Sequence, residues 1–174
     1  MSMTLLETSL VGLLLAGMAT GCSETEAAVS PGGASAGVPP KPSGACAEHA
    51  VCADHFFIDT AAPADCASGS ECNLSVKLGA LGVFHVNDEY PYKFKADDAV
   101  GVEFAGTDAA GKNVFSKPAG NWRKVDEKSG VMSVKFKVLS AGERTISGTF
   151  KLSVCSAETC LLEQRDVKAR VVVK

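Results

Sequence analysis

The 174-residue sequence predicts an all-β fold, an antiparallel sandwich of about seven strands. Three observations predict it. From Cys72 onward, short runs alternate apolar and polar residues with a period of two, the mark of a strand with one buried face. Turn residues separate those runs at regular intervals. No stretch of the domain shows the 3.6-residue apolar period of an amphipathic helix.

The N-terminal region does not belong to that pattern. Leu10–Met18 is a short apolar run, below the ~20 residues needed to span a bilayer. It fits the core of a secretory signal over residues 1–21. The small residues Ala19, Thr20 and Gly21 lead directly to Cys22, as in bacterial lipoprotein signals. Cleavage after Gly21 makes Cys22 the lipidated first residue, and six of the seven cysteines then remain, an even number. Residues 22–45 form a Pro-, Gly- and Ser-rich tether with almost no large apolar side chain, a composition that stays disordered. Its flexible reach is roughly 25 Å. Ser23 in place of an acidic residue favours the outer membrane, with the domain facing the periplasm.

A cysteine-rich segment follows over residues 46–72. Cys46 and Cys52 are spaced C-x5-C, and so are Cys66 and Cys72. Cysteines in this number suit an oxidising compartment, where they form structural disulfides. Local pairing (Cys46–Cys52, Cys66–Cys72) and crossed pairing of the same four both remain open. Either contributes ~2–4 kcal/mol per bridge, mainly by restricting the unfolded chain. His55–Thr60 between them reads as one short strand. Cys46, His49, Cys52 and His55 would share a face on a helix, but exported cysteines are normally oxidised, so no metal is expected.

The sandwich is expected over residues 73–174. Its strands are read at Leu74–Leu81, Tyr90–Ala96, Val100–Gly106, Asn113–Lys117 and Val131–Leu139, closing with a hairpin. Pro91 marks an edge position or a strand start. Trp122 falls in a turn-rich stretch. In the hairpin, Ile146, Phe150, Leu152 and Val154 are apolar before the loop, and Val167, Ala169, Val171 and Val173 alternate after it. Cys155 and Cys160 bracket the loop Ser156–Thr159, close enough in the chain to bridge.

The stretch GTFKLSVCSAETC, from Gly148 to Cys160, resembles the cysteine hairpin of the N-terminal periplasmic domain of the thiol:disulfide interchange protein DsbD. LGVFHVNDEYPYKFKAD, Leu81–Asp97, is similar to that family's approach to its tyrosine-rich strand. The resemblance implies an immunoglobulin-like sandwich with Cys155 and Cys160 as the redox-active pair. It implies Tyr90 and Tyr92 packed near the bridge as a shield, and a thioredoxin-like protein as exchange partner. His85 stands where it could stabilise a thiolate.

Two functions follow. One is a lipid-anchored exported module that binds or serves structurally, with Cys155–Cys160 as a permanent clasp. The other is thiol–disulfide exchange through that pair, supplied by a separate electron donor. The net charge of −3 and the lack of a basic cluster argue against nucleic acid. The charge is uneven, since residues 23–75 carry seven acids against Lys41 alone. No G-x-S-x-G nucleophile motif occurs. No cofactor is expected, and the membrane is met only through the N-terminal lipid.

Overall fold

A computed structural model of the chain describes residues 50–174. The signal, the lipidation site Cys22, the tether, and Cys46 and His49 lie outside the described residues. Among the described residues every regular element is a strand.

The strands are β1 (Val51–Cys52), β2 (Phe56–Ala61), β3 (Glu71–Ala80), β4 (His85–Val86), β5 (Lys93–Ala96), β6 (Val102–Phe104), β7 (Thr107–Asp108), β8 (Gly111–Lys112), β9 (Val114–Ser116), β10 (Trp122–Lys124), β11 (Ser129–Val138), β12 (Gly142–Cys155) and β13 (Cys160–Val173). They form two antiparallel sheets and a small β7–β8 ribbon. The first sheet runs β1-β2-β3-β11-β10, with β6 also on β11. The second runs β13-β12-β5-β9, with β4 also on β12. This is the strand order of an immunoglobulin-like sandwich: β2, β3, β11 and β10 stand as A, B, E and D, and β13, β12 and β5 as G, F and C.

Alternation explains the two layers. Leu74, Val76 and Leu78 of β3 and Met132, Val134, Phe136 and Val138 of β11 are buried. Opposite them Phe94 of β5, Ile146, Phe150, Leu152 and Val154 of β12, and Val167, Ala169, Val171 and Val173 of β13 are buried as well. Burial of each large apolar side chain stabilises by roughly 1.5–3 kcal/mol before the entropy of ordering is counted.

Four details depart from the expected layout. The sandwich starts before residue 73, because β2 pairs with β3 from Phe56↔Ala80 to Ala61↔Ser75 and sends Phe56 and Ile58 into the core. The cysteine-rich segment is therefore partly sandwich. Strand β5 begins at Lys93 and not at Tyr90: Pro91 has no N–H to give a ladder, and the Tyr92 amide turns back to the Tyr90 carbonyl at 3.0 Å. Strand β6 is shorter than read, since Val100 is exposed. Trp122 is not in a turn. It opens β10, pairs with Met132 and stacks on Tyr92 at 4.0 Å between ring centroids.

The helical spacing that would gather Cys46, His49, Cys52 and His55 also fails for the described pair. Cys52 lies in β1 and is disulfide-bonded, and His55 stacks on Phe84 at 4.3 Å. Among the described residues no group of three or more metal-ligating side chains assembles.

Close approach of backbones fixes one glycine. A Cβ on Gly148 of β12 would lie 2.4 Å from the Lys95 carbonyl oxygen and 2.6 Å from the Phe94 ring. Gly148→Ala must push β5 away from β12, and such overpacking costs about 1–3 kcal/mol. The expected outcome is a lower urea midpoint with an unchanged m-value. An unaltered midpoint would show that the two strands are free to separate here.

Candidate functional site

The site is the tip of the β12–β13 hairpin. These two strands pair without a break from Gly142↔Val173 to Cys155↔Cys160. Cys155 and Cys160 are thus direct partners, with Cα atoms 4.0 Å apart, and they are disulfide-bonded. Opposed non-hydrogen-bonded residues of antiparallel strands approach most closely, at about 4.5 Å. The second described bridge, Cys66–Cys72, is the local one of the two pairings the sequence leaves open. The pairing of Cys46 falls outside the described residues.

The turn beyond the cysteines is held by its own serine. The Ser156 amide donates to the Thr159 carbonyl at 2.8 Å. The Ser156 hydroxyl oxygen accepts from the amides of Glu158 and Thr159, both at 3.2 Å, and its O–H donates to Glu158 Oε2 at 2.9 Å. A serine at the start of a turn satisfies amides that a strand no longer reaches.

The two cysteines differ in exposure. Cys155 is only 5% exposed, whereas Cys160 is exposed. Strand β4 is the cause, because it covers the far edge of β12 with His85 opposite Cys155 and Val86 opposite Val154. Directly opposed residues project to the same face. His85, Cys155 and Cys160 therefore form one row across three strands, with the histidine exposed.

The tyrosines lie further in. Tyr92 is fully buried and its hydroxyl donates to the Ser153 carbonyl at 2.7 Å, two residues before Cys155. It sits between Trp122, stacked on it, and Tyr90, edge-on at 5.2 Å. Tyr92 thus braces the backbone that carries Cys155. Asn87 adds a bond from its Nδ2 to the Ser153 hydroxyl at 3.2 Å. Ser153 and Asn87, with Trp122, are site residues that sequence reading missed. The signal for Ser153 was present, since a polar residue that is completely buried on a sheet's outer face requires partners, but its burial comes from a distant segment.

One hollow meets the row at His85, and a second lies apart from it. The first, about 310 Å³, is lined by Val83, His85, Asp88, Lys124, Glu127 and Lys128. The Lys124 ammonium, bonded to Asp88 at 2.6 Å, holds that carboxyl below its ordinary range. The other, about 550 Å³, lies beyond Tyr90. There Lys93 of β5 and Lys151 of β12 are direct cross-strand partners, a like-charge pair that is unfavourable unless neutralised. Asp108 meets Lys93 at 3.4 Å.

No protein-family model and no curated protein matches the chain. Among solved structures, the chain is similar to AggA, the major subunit of aggregative adherence fimbriae type I of Escherichia coli, at 12% identity over 72% of this chain and 100% of that one, with a TM-score of 0.32. It is also similar to PapD-like domain 7 of human CEP192, at 11% identity over 67% of this chain and 83% of that one, with a TM-score of 0.27. Likenesses this distant carry no argument about activity, and the sandwich assignment stands on the strand pairing itself.

Burial pushes the Tyr92 phenol well above its ordinary range, and Tyr90 is shifted the same way by burial. Unfolded tyrosine ionises near pH 10. Above that pH the unfolded chain binds fewer protons than the folded one, so stability declines as pH rises and is flat below. Tyr92→Phe should cost about 1 kcal/mol near neutral pH, from the lost bond to Ser153. It should also remove part of the alkaline decline, as read from urea midpoints at about pH 8 and about pH 11. Parallel wild-type and variant curves at both pH values would show that this hydroxyl does not brace β12.

Proposed function

We propose that the protein is a lipid-anchored, exported immunoglobulin-like module that acts without catalysis, by binding or as a structural element, with Cys155–Cys160 as a permanent clasp. One observation carries this reading. The bridge is continuous with the β-ladder, joining the last residue pair of the long hairpin beside a turn that is internally hydrogen-bonded, with Cys155 buried. Five cysteines precede it in the sequence, Cys22 and the four of residues 46–72. Three of the four, Cys52, Cys66 and Cys72, are disulfide-bonded, which suits a chain that uses sulfur for stability. An anchor at Cys22, a periplasmic setting and an outer-membrane location complete the reading and rest on the N-terminal sequence alone.

Thiol–disulfide exchange is the second reading, and the exposure of Cys160 favours it. A partner's thiolate would attack Cys160 Sγ, form a mixed disulfide there and release Cys155 as the thiolate. His85, next to Cys155 in the ladder, would stabilise that leaving group when protonated. Tyr92 would keep the strand fixed during the step. The partner fitting this chemistry is a thioredoxin-like protein.

The reduction potential of the Cys155–Cys160 couple, titrated against glutathione, separates the two. A clasp is expected below about −300 mV, and exchange requires a markedly higher value. A high potential together with transfer to a thioredoxin would overturn the non-catalytic reading.

The anchor has its own test. Cys22→Ala should move the protein from the membrane fraction to the soluble fraction on sedimentation. A variant that still sediments with membranes rules the lipid out.

A further inference from the structure

Strand β13 is the outer strand of its sheet, with β12 on one side only. The direction of its peptide groups follows from the hairpin. Ser156 and Thr159 are a hydrogen-bonded pair, so Cys155 and Cys160 are a non-bonded pair, and the two kinds alternate down the ladder. Odd-numbered residues of β13 therefore bond to β12, and even-numbered ones point their N–H and C=O outward. Lys174 confirms the parity, since its amide donates to the Cys66 carbonyl and its carbonyl accepts from the Ser68 amide, each at 2.9 Å, away from β12. A parallel bridge between Cys66 and Val173 engages the end of that outer edge at Val172, and from Leu162 to Arg170 the edge has no backbone partner among the described residues.

An open edge this long templates pairing with another strand, and its side chains select which one. The even-numbered residues read Leu162, Gln164, Asp166, Lys168, Arg170 and Val172. Leu162 and Val172 are large apolar side chains left 68% and 62% exposed. The order is self-complementary about Val167.

We propose that β13 pairs antiparallel with β13 of a second copy of this chain, across a two-fold axis beside Val167, joining the two second sheets edge to edge. In that register Asp166 faces Lys168 of the other copy and the reverse, Gln164 faces Arg170, and Leu162 faces Val172. Every facing pair is of even-numbered residues, so those among Gln164, Asp166, Lys168 and Arg170 each exchange two backbone hydrogen bonds, while Leu162 and Val172 meet through their side chains. Opposite charges and apolar pairs directly across a ladder are favourable. A slip of one residue on both strands sets Asp166 against Asp166 or Lys168 against Lys168, which is unfavourable. The Cys66–Ser68 segment holds the edge beside Val173 and Lys174, so backbone pairing ends at Gln164 and Arg170. The usual twist of about 20–25° between neighbouring strands carries the other copy's hairpin tip out of that plane. The inference is independent of whether the cysteine pair exchanges.

Charge reversal tests it. Analytical ultracentrifugation of the full chain in density-matched detergent should give a dimer for the wild type. Asp166→Lys and Lys168→Asp should each give a monomer, and the double variant, which restores opposite charges at both contacts, a dimer again. Both side chains are exposed, the Asp166 carboxylate accepting one bond from the Thr149 hydroxyl at 3.1 Å. Dimerisation itself raises the urea midpoint, so a wild-type far-UV spectrum and a single cooperative urea transition verify the fold of each variant. A second readout needs no substitution: amides of the even-numbered residues from Gln164 to Arg170 should gain exchange protection as concentration rises. A wild type that stays monomeric at its highest soluble concentration overturns the proposal. So do single variants that remain dimeric, a folded double variant that stays monomeric, or protection independent of concentration.

Discussion

The pairing of β12 with its neighbours is the constraint on which the rest of the structure depends. One edge of β12 is bonded to β13 over the strand's full length. The other edge takes β5 opposite Gly148–Lys151 and β4 opposite Val154–Cys155. Its inner face supplies Ile146, Phe150, Leu152 and Val154 to the core. In the first sheet β11 is placed alike, with ladders to β3, β6 and β10 and with Met132, Val134 and Phe136 in the core, but only β12 also carries the cysteine hairpin. A strand of this kind cannot shift by one residue without turning its apolar set outward. The register of the second sheet is thus fixed by burial along β12 and fastened at one end by the Cys155–Cys160 bridge.

That constraint explains why the aromatic residues gather where they do. Strand β4 covers only two residues of β12, and the six residues 87–92 separate it from β5. The chain between them carries Asn87, Tyr90 and Tyr92, which reach back to Ser153 and to one another. The Ser153 carbonyl belongs to an odd-numbered residue of β12, which points away from β13, and where β4 ends it keeps only a long bond from the Asn87 amide at 3.4 Å. The Tyr92 hydroxyl supplies a second, shorter one at 2.7 Å. Trp122 closes the other side of Tyr92, and its ring lies over Gly130, where a Cβ would come within 2.1 Å. The cluster thus bridges the two sheets at the end where the bridge lies.

The sequence made the long strands legible because each buries one face over many residues. The alternation of Leu74, Val76 and Leu78 and that of Phe150, Leu152 and Val154 stand out for this reason. Strands β4, β7, β8 and β10 have two or three residues each, too few for a period to show, and they exist because a longer neighbour offers an edge. Trp122, in a stretch rich in turn residues, carries no strand signal of its own on that account. The first half of β13 was also obscure. Glu163 and Arg165 occupy positions of the inward-facing parity, where the pattern demands apolar side chains. They pair with each other at 3.0 Å, and the Arg165 guanidinium lies 5.6 Å from the Phe56 ring centroid. The mouth of the sandwich admits them, since both remain partly exposed. Of the site, Cys155, Cys160, His85 and Tyr92 were visible as residue types at suggestive spacing. The unequal exposure of the two cysteines was not, because it depends on β4, seventy residues upstream of Cys155.

Inward-facing charge near an edge is one of the ways proteins discourage unwanted strand pairing, and its placement on β13 is uneven. Glu163 and Arg165 stand in the half next to the bridge, whereas the inward positions from Val167 to Val173 are wholly apolar and buried. The outward positions mix signs at Asp166, Lys168 and Arg170. An edge meant only to repel other strands is best served by one sign of charge, since mixed signs leave some register attractive to any strand with the opposite order. The bridge then has a consequence beyond the hairpin tip. By holding Cys155 opposite Cys160 it decides which residues of β13 turn their peptide groups outward, and hence that the mixed-sign face belongs to the outward-bonding set. A hairpin one residue out of step would present Glu163, Arg165 and Val167 as that set and bury the others. The sulfur link at one end of the strand and the pattern of charge along its free edge are two expressions of a single register.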